Sequence, residues 1–141
     1  MKRWVAILFV WLFPLWGTAA HIHWMGSYDK ALQRAHQEYK PLLVLVADKG
    51  KASQHTLAVQ LMNQPYIEAM NNRFVAVIVT YEGEESYPIE MYYTTVFPTL
   101  FLVDSSRELF LHKPLYGKEI TAAALAKIMQ DLAIIPTKQT R

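Results

Sequence analysis

Residues 95–104 are Thr-Val-Phe-Pro-Thr-Leu-Phe-Leu-Val-Asp, and this segment decides the expected fold. Four consecutive apolar residues follow Thr99, which predicts a buried β-strand. Proline cannot donate a hydrogen bond to a neighbouring strand, so Pro98 is expected at the first residue or at the edge of this strand. A turn in which an aromatic residue precedes proline is also compatible with a cis peptide bond between Phe97 and Pro98. The rest of the chain should therefore pack on a strand that begins at Pro98.

Two further apolar runs predict central strands. Residues 42–47 and 74–81 are almost continuously apolar, as in parallel strands that are buried on both faces. Residues 21–24 are expected to form a short edge strand, and residues 105–112 a hairpin with its turn at Ser105 and Ser106. Helices are expected near residues 27–40, 52–62, 65–71, 89–94 and 121–133.

Two of these helices have apolar faces that predict which side chains are buried. In the first helix the face consists of Tyr28, Leu32, Ala35 and Tyr39, and Pro41 is expected to end the helix. In the last helix the face consists of Leu125, Ile128, Met129 and Leu132.

The order of these segments resembles that of thioredoxin-fold proteins. Val96-Phe97-Pro98-Thr99, followed by an apolar strand and the turn 104–107, is similar to the cis-proline region of that fold. Residues 40–48, followed by a helical stretch ending near Pro65, are similar to exported thioredoxin-like domains related to the carboxyl-terminal domain of transmembrane thiol:disulfide interchange proteins. The resemblance covers roughly residues 27–132. It implies an α/β fold, a thioredoxin-like three-layer α/β sandwich with a central mixed sheet.

The chain departs from that family at the redox centre. Counted back from Pro65, the family's Cys-x-x-Cys falls on Lys51-Ala52-Ser53-Gln54, and the sequence contains no cysteine. Thiol-disulfide exchange needs one thiolate that attacks a sulfur and a second thiol that resolves the mixed disulfide. Leu45 and Gly50 also replace a carboxylate and a tryptophan that many members carry. The resemblance therefore implies the fold without intrinsic redox activity.

The first 20 residues predict a secretory signal peptide. Lys2 and Arg3 precede an apolar stretch, residues 4–16, and the small residues 17–20 follow it. The prediction is a signal at 1–20, a thioredoxin-like domain at 21–135 and a polar tail at 136–141 in a periplasmic or secreted protein. An uncleaved membrane anchor is the alternative, although the apolar stretch is shorter than the ~20 residues that span a bilayer.

Composition excludes some classes of partner. The 141 residues, 52% of them apolar, suit a single domain with a sizeable core. Without Lys2 and Arg3 the chain has 12 basic and 12 acidic residues, so its net charge is zero. It shows no basic cluster that would neutralise successive phosphates, and no nucleic acid is expected as a partner.

A peptide-binding groove is the predicted site. In the thioredoxin fold a groove between the Cys-x-x-Cys loop and the proline turn holds an extended peptide, so the resemblance implies a site at Lys51, Ala52, Ser53 and Gln54 with Val96, Phe97 and Pro98. No catalytic residue is predicted, since Ser53 and His55 are two apart on a predicted helix and do not face each other. The preferred function is a non-redox polypeptide-binding or chaperone-like module. The alternative is a component of a thiol-disulfide or glutathione-linked pathway that acts with a cysteine-bearing partner. A third possibility is that the groove is vestigial and binds nothing.

A metal site is conceivable at the mature N-terminus. Cleavage after Ala20 would make His23 the third residue, so that the amine, two amides and the imidazole could bind Cu(II) or Ni(II) in a square plane together with the neighbouring His21. Cleavage after Ala19 would abolish this motif. No other cofactor is expected.

Overall fold

A computed structural model gives the structure of residues 22–48 and 66–134. These residues contain six strands and three α-helices. The strands are β1 (Trp24–Met25), β2 (Leu42–Asp48), β3 (Val75–Tyr81), β4 (Thr99–Asp104), β5 (Leu109–Phe110) and β6 (Leu115–Tyr116). The helices are α1 (Tyr28–Glu38), α2 (Tyr66–Arg73) and α3 (Ala122–Ile134), and a 3-10 turn at Gly117–Glu119 precedes α3.

The strands form one mixed sheet in the order β1-β3-β2-β4-β5. The first three strands in this order are mutually parallel, and β4 is antiparallel to β2. The outer edge of β4 is covered by two short antiparallel strands, β5 at one end and β6 at the other. As predicted, the apolar run of β2 lies mid-sheet and the run after Pro98 forms β4.

The sheet separates two hydrophobic layers. Because side chains alternate along a strand, Leu43 and Leu45 face α2 and α3, while Val44 and Val46 face α1. Buried helical residues complete each layer. They are Tyr28, Ala31 and Ala35 on the α1 side, and Ile67, Met70, Leu125, Ile128 and Met129 on the other. The predicted three-layer α/β sandwich with a central mixed sheet is confirmed.

The prediction of a short helix at residues 89–94 is wrong. Residues 89–92 form a turn in which the carbonyl of Pro88 accepts hydrogen bonds from the amides of Met91 (3.1 Å) and Tyr92 (3.3 Å). The Tyr92 ring inserts into the core against the rings of Tyr28 and Phe101. Burial of this large ring decides the path of the segment, because tertiary packing overrides weak helix propensity.

Tyr39 was predicted to be buried and is instead 94% exposed. Helix α1 ends at Glu38, earlier than the predicted stop at Pro41, and Tyr39 caps it in the left-handed conformation with φ 54°. In this cap the amide of Lys40 bonds to the carbonyl of Ala35 at 3.0 Å. A left-handed residue leaves the helical repeat, so the side chain of Tyr39 no longer follows the apolar face.

Several predictions lie outside the described residues: the signal at 1–20, the helix at 52–62 and the tail at 136–141. The helices predicted at 65–71 and 121–133 are found as α2 and α3, with boundaries that differ by one or two residues. Within 22–48 and 66–134 no helix is both long enough and apolar enough to cross a membrane.

Candidate functional site

The turn that precedes β4 is the centre of the predicted site. We call residues 94–99 the Pro98 turn. The peptide bond between Phe97 and Pro98 is cis, as the sequence suggested. Pro98 itself is buried, whereas Val96 is 44% exposed. The turn therefore presents an apolar side chain to solvent directly beside the point where the central strand β4 begins.

Two buried threonine hydroxyls hold this turn. The Thr99 hydroxyl donates to the carbonyl of Val96 at 2.5 Å and lies 2.9 Å from the Thr94 hydroxyl. The Val96 amide donates to the Thr94 hydroxyl at 3.2 Å. Since Thr99 is fully buried and Thr94 nearly so, these bonds are shielded from competing water. Both polar backbone groups of Val96 are thus satisfied inside the turn.

The backbone groups next to Pro98 differ in whether they have partners. The carbonyl of Pro98 accepts a hydrogen bond from the amide of Gly117 at 2.8 Å, which joins the turn to the chain after β6. Within residues 22–48 and 66–134, no hydrogen bond reaches the N–H or the C=O of Phe97. Among the described residues, Phe97 therefore keeps both a donor and an acceptor without a partner, beside the exposed side chain of Val96.

An aromatic group lines one side of the turn. The Phe97 ring packs against Tyr81 at the end of β3, with ring centroids 5.2 Å apart. Tyr87 lies near Tyr81, and its buried hydroxyl has no hydrogen-bond partner in the described part of the chain. Burial also raises the pKa of Tyr87 above its ordinary value. This side of the turn is therefore mainly aromatic.

Three of the predicted groove residues, Val96, Phe97 and Pro98, are brought together in the Pro98 turn. The other four, Lys51, Ala52, Ser53 and Gln54, lie outside the described residues, so the second wall of the groove stays a prediction. Sequence reasoning missed Thr94 and Thr99 as supports of the turn. Their available signal was the Thr-Thr pair before Val-Phe-Pro and the single threonine after it.

The N-terminal metal site also stays a prediction. His21 lies outside the described residues, and His23 is exposed. The His23 amide, one of the groups that the copper motif would use, donates to the side chain of Asn71 at 3.0 Å, so metal binding would have to replace this bond. The described residues contain no cluster of three or more histidine, aspartate, glutamate or cysteine residues that could hold a metal ion.

A second polar pair lies in the layer between α1 and the sheet. The hydroxyls of Tyr28 and Tyr92 are 2.8 Å apart, and both residues are almost completely buried. Burial raises the pKa of Tyr92 above its usual range, and that of Tyr28 is raised by the same cause with a smaller contribution from Glu108. This pair ties the N-terminus of α1 to the segment before the Pro98 turn, and we assign it a structural role.

Removal of the Thr99 hydroxyl should loosen the turn. We expect Thr99→Val to lower the free energy of unfolding by about 1 to 3 kcal/mol, because the Val96 carbonyl loses its closest donor and the buried Thr94 hydroxyl loses a partner. Urea unfolding measures this difference. Thr95→Val is the matched control, since Thr95 is exposed and its replacement should cost less than about 0.5 kcal/mol. Equal stabilities of the two variants would contradict a supporting role for Thr99.

No protein-family profile and no curated protein sequence matches this chain. The solved structures that are similar to it over most of their length include the following three. The first is a putative disulphide-isomerase from Bacteroides thetaiotaomicron, with 24% identity over 83% of this chain and 98% of that one and a TM-score of 0.65. The second is the DsbH oxidoreductase, with 19% identity, coverage of 83% and 88%, and a TM-score of 0.62. The third is a thioredoxin from Thermus thermophilus, with 16% identity, coverage of 81% and 88%, and a TM-score of 0.61.

These similarities establish the fold. The chain has a thioredoxin-like fold that contains no cysteine. One of these proteins is named a disulphide-isomerase and another an oxidoreductase. At these identities such activities do not transfer to this chain, because one fold supports many functions.

Proposed function

We propose that this protein is a non-redox module that binds an extended polypeptide at the Pro98 turn. The observation that carries the proposal is the open backbone of Phe97, whose N–H and C=O have no partner among the described residues although the neighbouring groups of Val96 and Pro98 are satisfied. An extended segment of another chain can supply one acceptor and one donor to such a residue, as in the addition of a strand to a sheet edge.

The exposed side chain of Val96 adds an apolar contact to this backbone recognition. The side chain of Val96 lies near Gly117, whose amide donates to the carbonyl of Pro98 at 2.8 Å. Backbone bonds would give affinity that is largely independent of sequence, and the apolar side chain would favour unfolded or extended segments that carry hydrophobic residues. These features support a chaperone-like module whose partner is a polypeptide in the exported compartment.

The absence of cysteine supports a non-redox role. A protein without a thiol can neither attack a disulfide nor form a mixed disulfide. The competing function is that of a component of a thiol-disulfide or glutathione-linked pathway that acts with a cysteine-bearing partner. The two functions differ in whether the cysteine of the partner matters for binding.

Substitution of Val96 tests the site. We expect Val96→Asp to weaken binding of a fluorescently labelled, reduced and alkylated unfolded polypeptide by about tenfold to a hundredfold, because the new carboxylate must be desolvated and opposes the bound segment. Fluorescence anisotropy gives the dissociation constants. Ile89→Asp is the matched control, since Ile89 is an apolar residue of similar exposure, 52%, outside the turn. The Ile89→Asp variant should bind the polypeptide as tightly as the unmodified protein.

A folded Val96→Asp variant that binds as tightly as the unmodified protein would place the partner elsewhere. Circular dichroism verifies that both variants are folded. Lys51→Glu provides a second measurement on the predicted opposite wall, and unchanged binding in both groove variants would mean that the groove is vestigial.

Disulfide chemistry separates the two functions. We expect the purified protein to leave the rate of insulin reduction by dithiothreitol at its uncatalysed value, since it contains no thiol. A thioredoxin with an intact Cys-x-x-Cys serves as the positive control. An increased rate would overturn the non-redox role, and tighter binding of the unalkylated than of the alkylated polypeptide would favour the competing function.

A further inference from the structure

The chain that follows β3 is strongly acidic. Residues 74–106 contain no lysine, arginine or histidine. The loop after Tyr81 carries four exposed glutamates: Glu82, Glu84, Glu85 and Glu90. Among the residues that the structure describes, none of these four forms an ion pair. We call residues 82–90 the acidic segment, and its negative charge is not compensated by the described part of the chain.

The acidic segment lies beside the aromatic side of the Pro98 turn. Its start is fixed by Tyr81, whose ring lies 5.2 Å from that of Phe97, and the chain turns back at Gly83, whose amide donates to the carbonyl of Thr80 at 3.0 Å. Tyr87, within the segment, lies near Tyr81. Because each residue advances the chain by at most about 3.6 Å, the backbone between the two tyrosines stays within about 11 Å of one or the other. Three of the four glutamates belong to this short loop.

This surface combines the contacts that a basic side chain can make. Lysine and arginine have an apolar stem and a cationic head. The stem can pack on the exposed side chain of Val96 and on the partly exposed rings of Tyr81 and Phe97. The head can lie over an aromatic ring or near a carboxylate of the acidic segment. Uncompensated charges beside an apolar wall also raise the local concentration of ligands of opposite charge.

We infer that the polypeptide bound at the Pro98 turn is cationic, with lysine or arginine next to its apolar residues. This inference rests on the proposed function and names the class of polypeptide that the site selects. Charge complementarity decides the class, because an acidic polypeptide would meet several like charges, which is costly across an interface. The exposed glutamates stay hydrated at the edge of the site, whereas a carboxylate introduced at Val96 would be covered by the bound segment.

Three fluorescently labelled peptides of equal length and equal apolar content test the inference. None contains cysteine, and they differ only in whether the residues that flank the apolar core are lysine, serine or glutamate. We expect the lysine peptide to bind at least about tenfold more tightly than the glutamate peptide at low salt. At about 1 M salt, where the screening length falls to about 3 Å, the affinities should converge. Fluorescence anisotropy gives the dissociation constants.

Charge reversal in the acidic segment locates the preference. In Glu84→Lys/Glu85→Lys the preference for lysine should disappear or reverse, whereas the serine peptide should keep its affinity because it depends on backbone and apolar contacts. Glu68→Lys/Asp131→Lys is the matched control, since it changes the net charge equally. Glu68 and Asp131 are exposed on α2 and α3, which cover the other face of the sheet, so this variant should keep the preference.

The outcomes separate this inference from the proposed function. Equal affinity for the lysine and glutamate peptides at low salt would overturn the inference and leave the proposed function standing. Binding of none of the three peptides would refute the proposed function and the inference with it. A lysine preference that survives in Glu84→Lys/Glu85→Lys, or that the control variant loses to the same extent, would also overturn the inference. Circular dichroism verifies that both variants are folded.

Discussion

Phe101→Ala is expected to destabilise the protein by about 3 to 5 kcal/mol, the usual cost of removing a buried phenylalanine side chain. Phe101 lies in the middle of β4, is 3% exposed and pairs in register with Val44 of the central strand β2. Its ring contacts Tyr92 edge-on at 5.3 Å and stacks on Phe110. Loss of this ring leaves a cavity that the rigid sheet can fill only in part.

Urea unfolding at one low protein concentration measures this effect, so that association does not contribute. Ile89→Ala is the control, since Ile89 is exposed and its truncation should stay within about 0.5 kcal/mol. A loss of less than about 1.5 kcal/mol in Phe101→Ala would show that the layer between α1 and the sheet collapses into the space.

Stability is expected to fall steeply above pH 10. Burial raises the pKa of Tyr28 and of Tyr92 in the folded protein, whereas tyrosine in the unfolded chain titrates near 10. The folded state keeps these protons and the unfolded state releases them as the pH rises. The contribution of each buried tyrosine to the free energy of unfolding is thus constant below about pH 10 and falls above it. The fall is at most about 1.4 kcal/mol per pH unit for each tyrosine, until that tyrosine ionises in the folded protein as well.

Urea unfolding between neutral pH and pH 12 gives this slope. Tyr28→Phe/Tyr92→Phe should flatten it and be nearly neutral at pH 7, because both partners of the hydroxyl pair become apolar together. Tyr39→Phe, at an exposed tyrosine, should keep the original slope. An unchanged slope in the double variant would assign the alkaline loss of stability to other groups.

The Pro98 turn illustrates how local and tertiary information combine. The sequence predicts the strand from four consecutive apolar residues and places Pro98 at its start, since both signals depend only on neighbouring residues. The hydroxyl pair of Thr94 and Thr99 is invisible to this reasoning. It exists because the turn brings together two side chains that are five residues apart.

For the candidate site, the sequence indicated the residues but not their hydrogen bonds. The resemblance indicated Val96, Phe97 and Pro98 as groove residues, and the structure adds that Phe97 alone among them keeps both backbone groups without a partner in the described residues. The Pro98 carbonyl has a partner because Gly117, which is distant in sequence, donates a hydrogen bond to it. Composition alone could not supply that contact.

The sandwich architecture and the lack of a cysteine thiol follow from the sequence alone. Strand positions follow from local apolar runs, and the lack of cysteine is a matter of composition. Two features depend on tertiary contacts: the burial of Tyr92 in a turn instead of a helix, and the approach of Gly117 to the Pro98 turn. The bond between Tyr28 and Tyr92 joins residues 64 positions apart, and the bond from the Gly117 amide to the Pro98 carbonyl likewise joins residues that are distant in sequence. Local patterns carry no information about either, because both arise from contacts that form only when distant segments pack together.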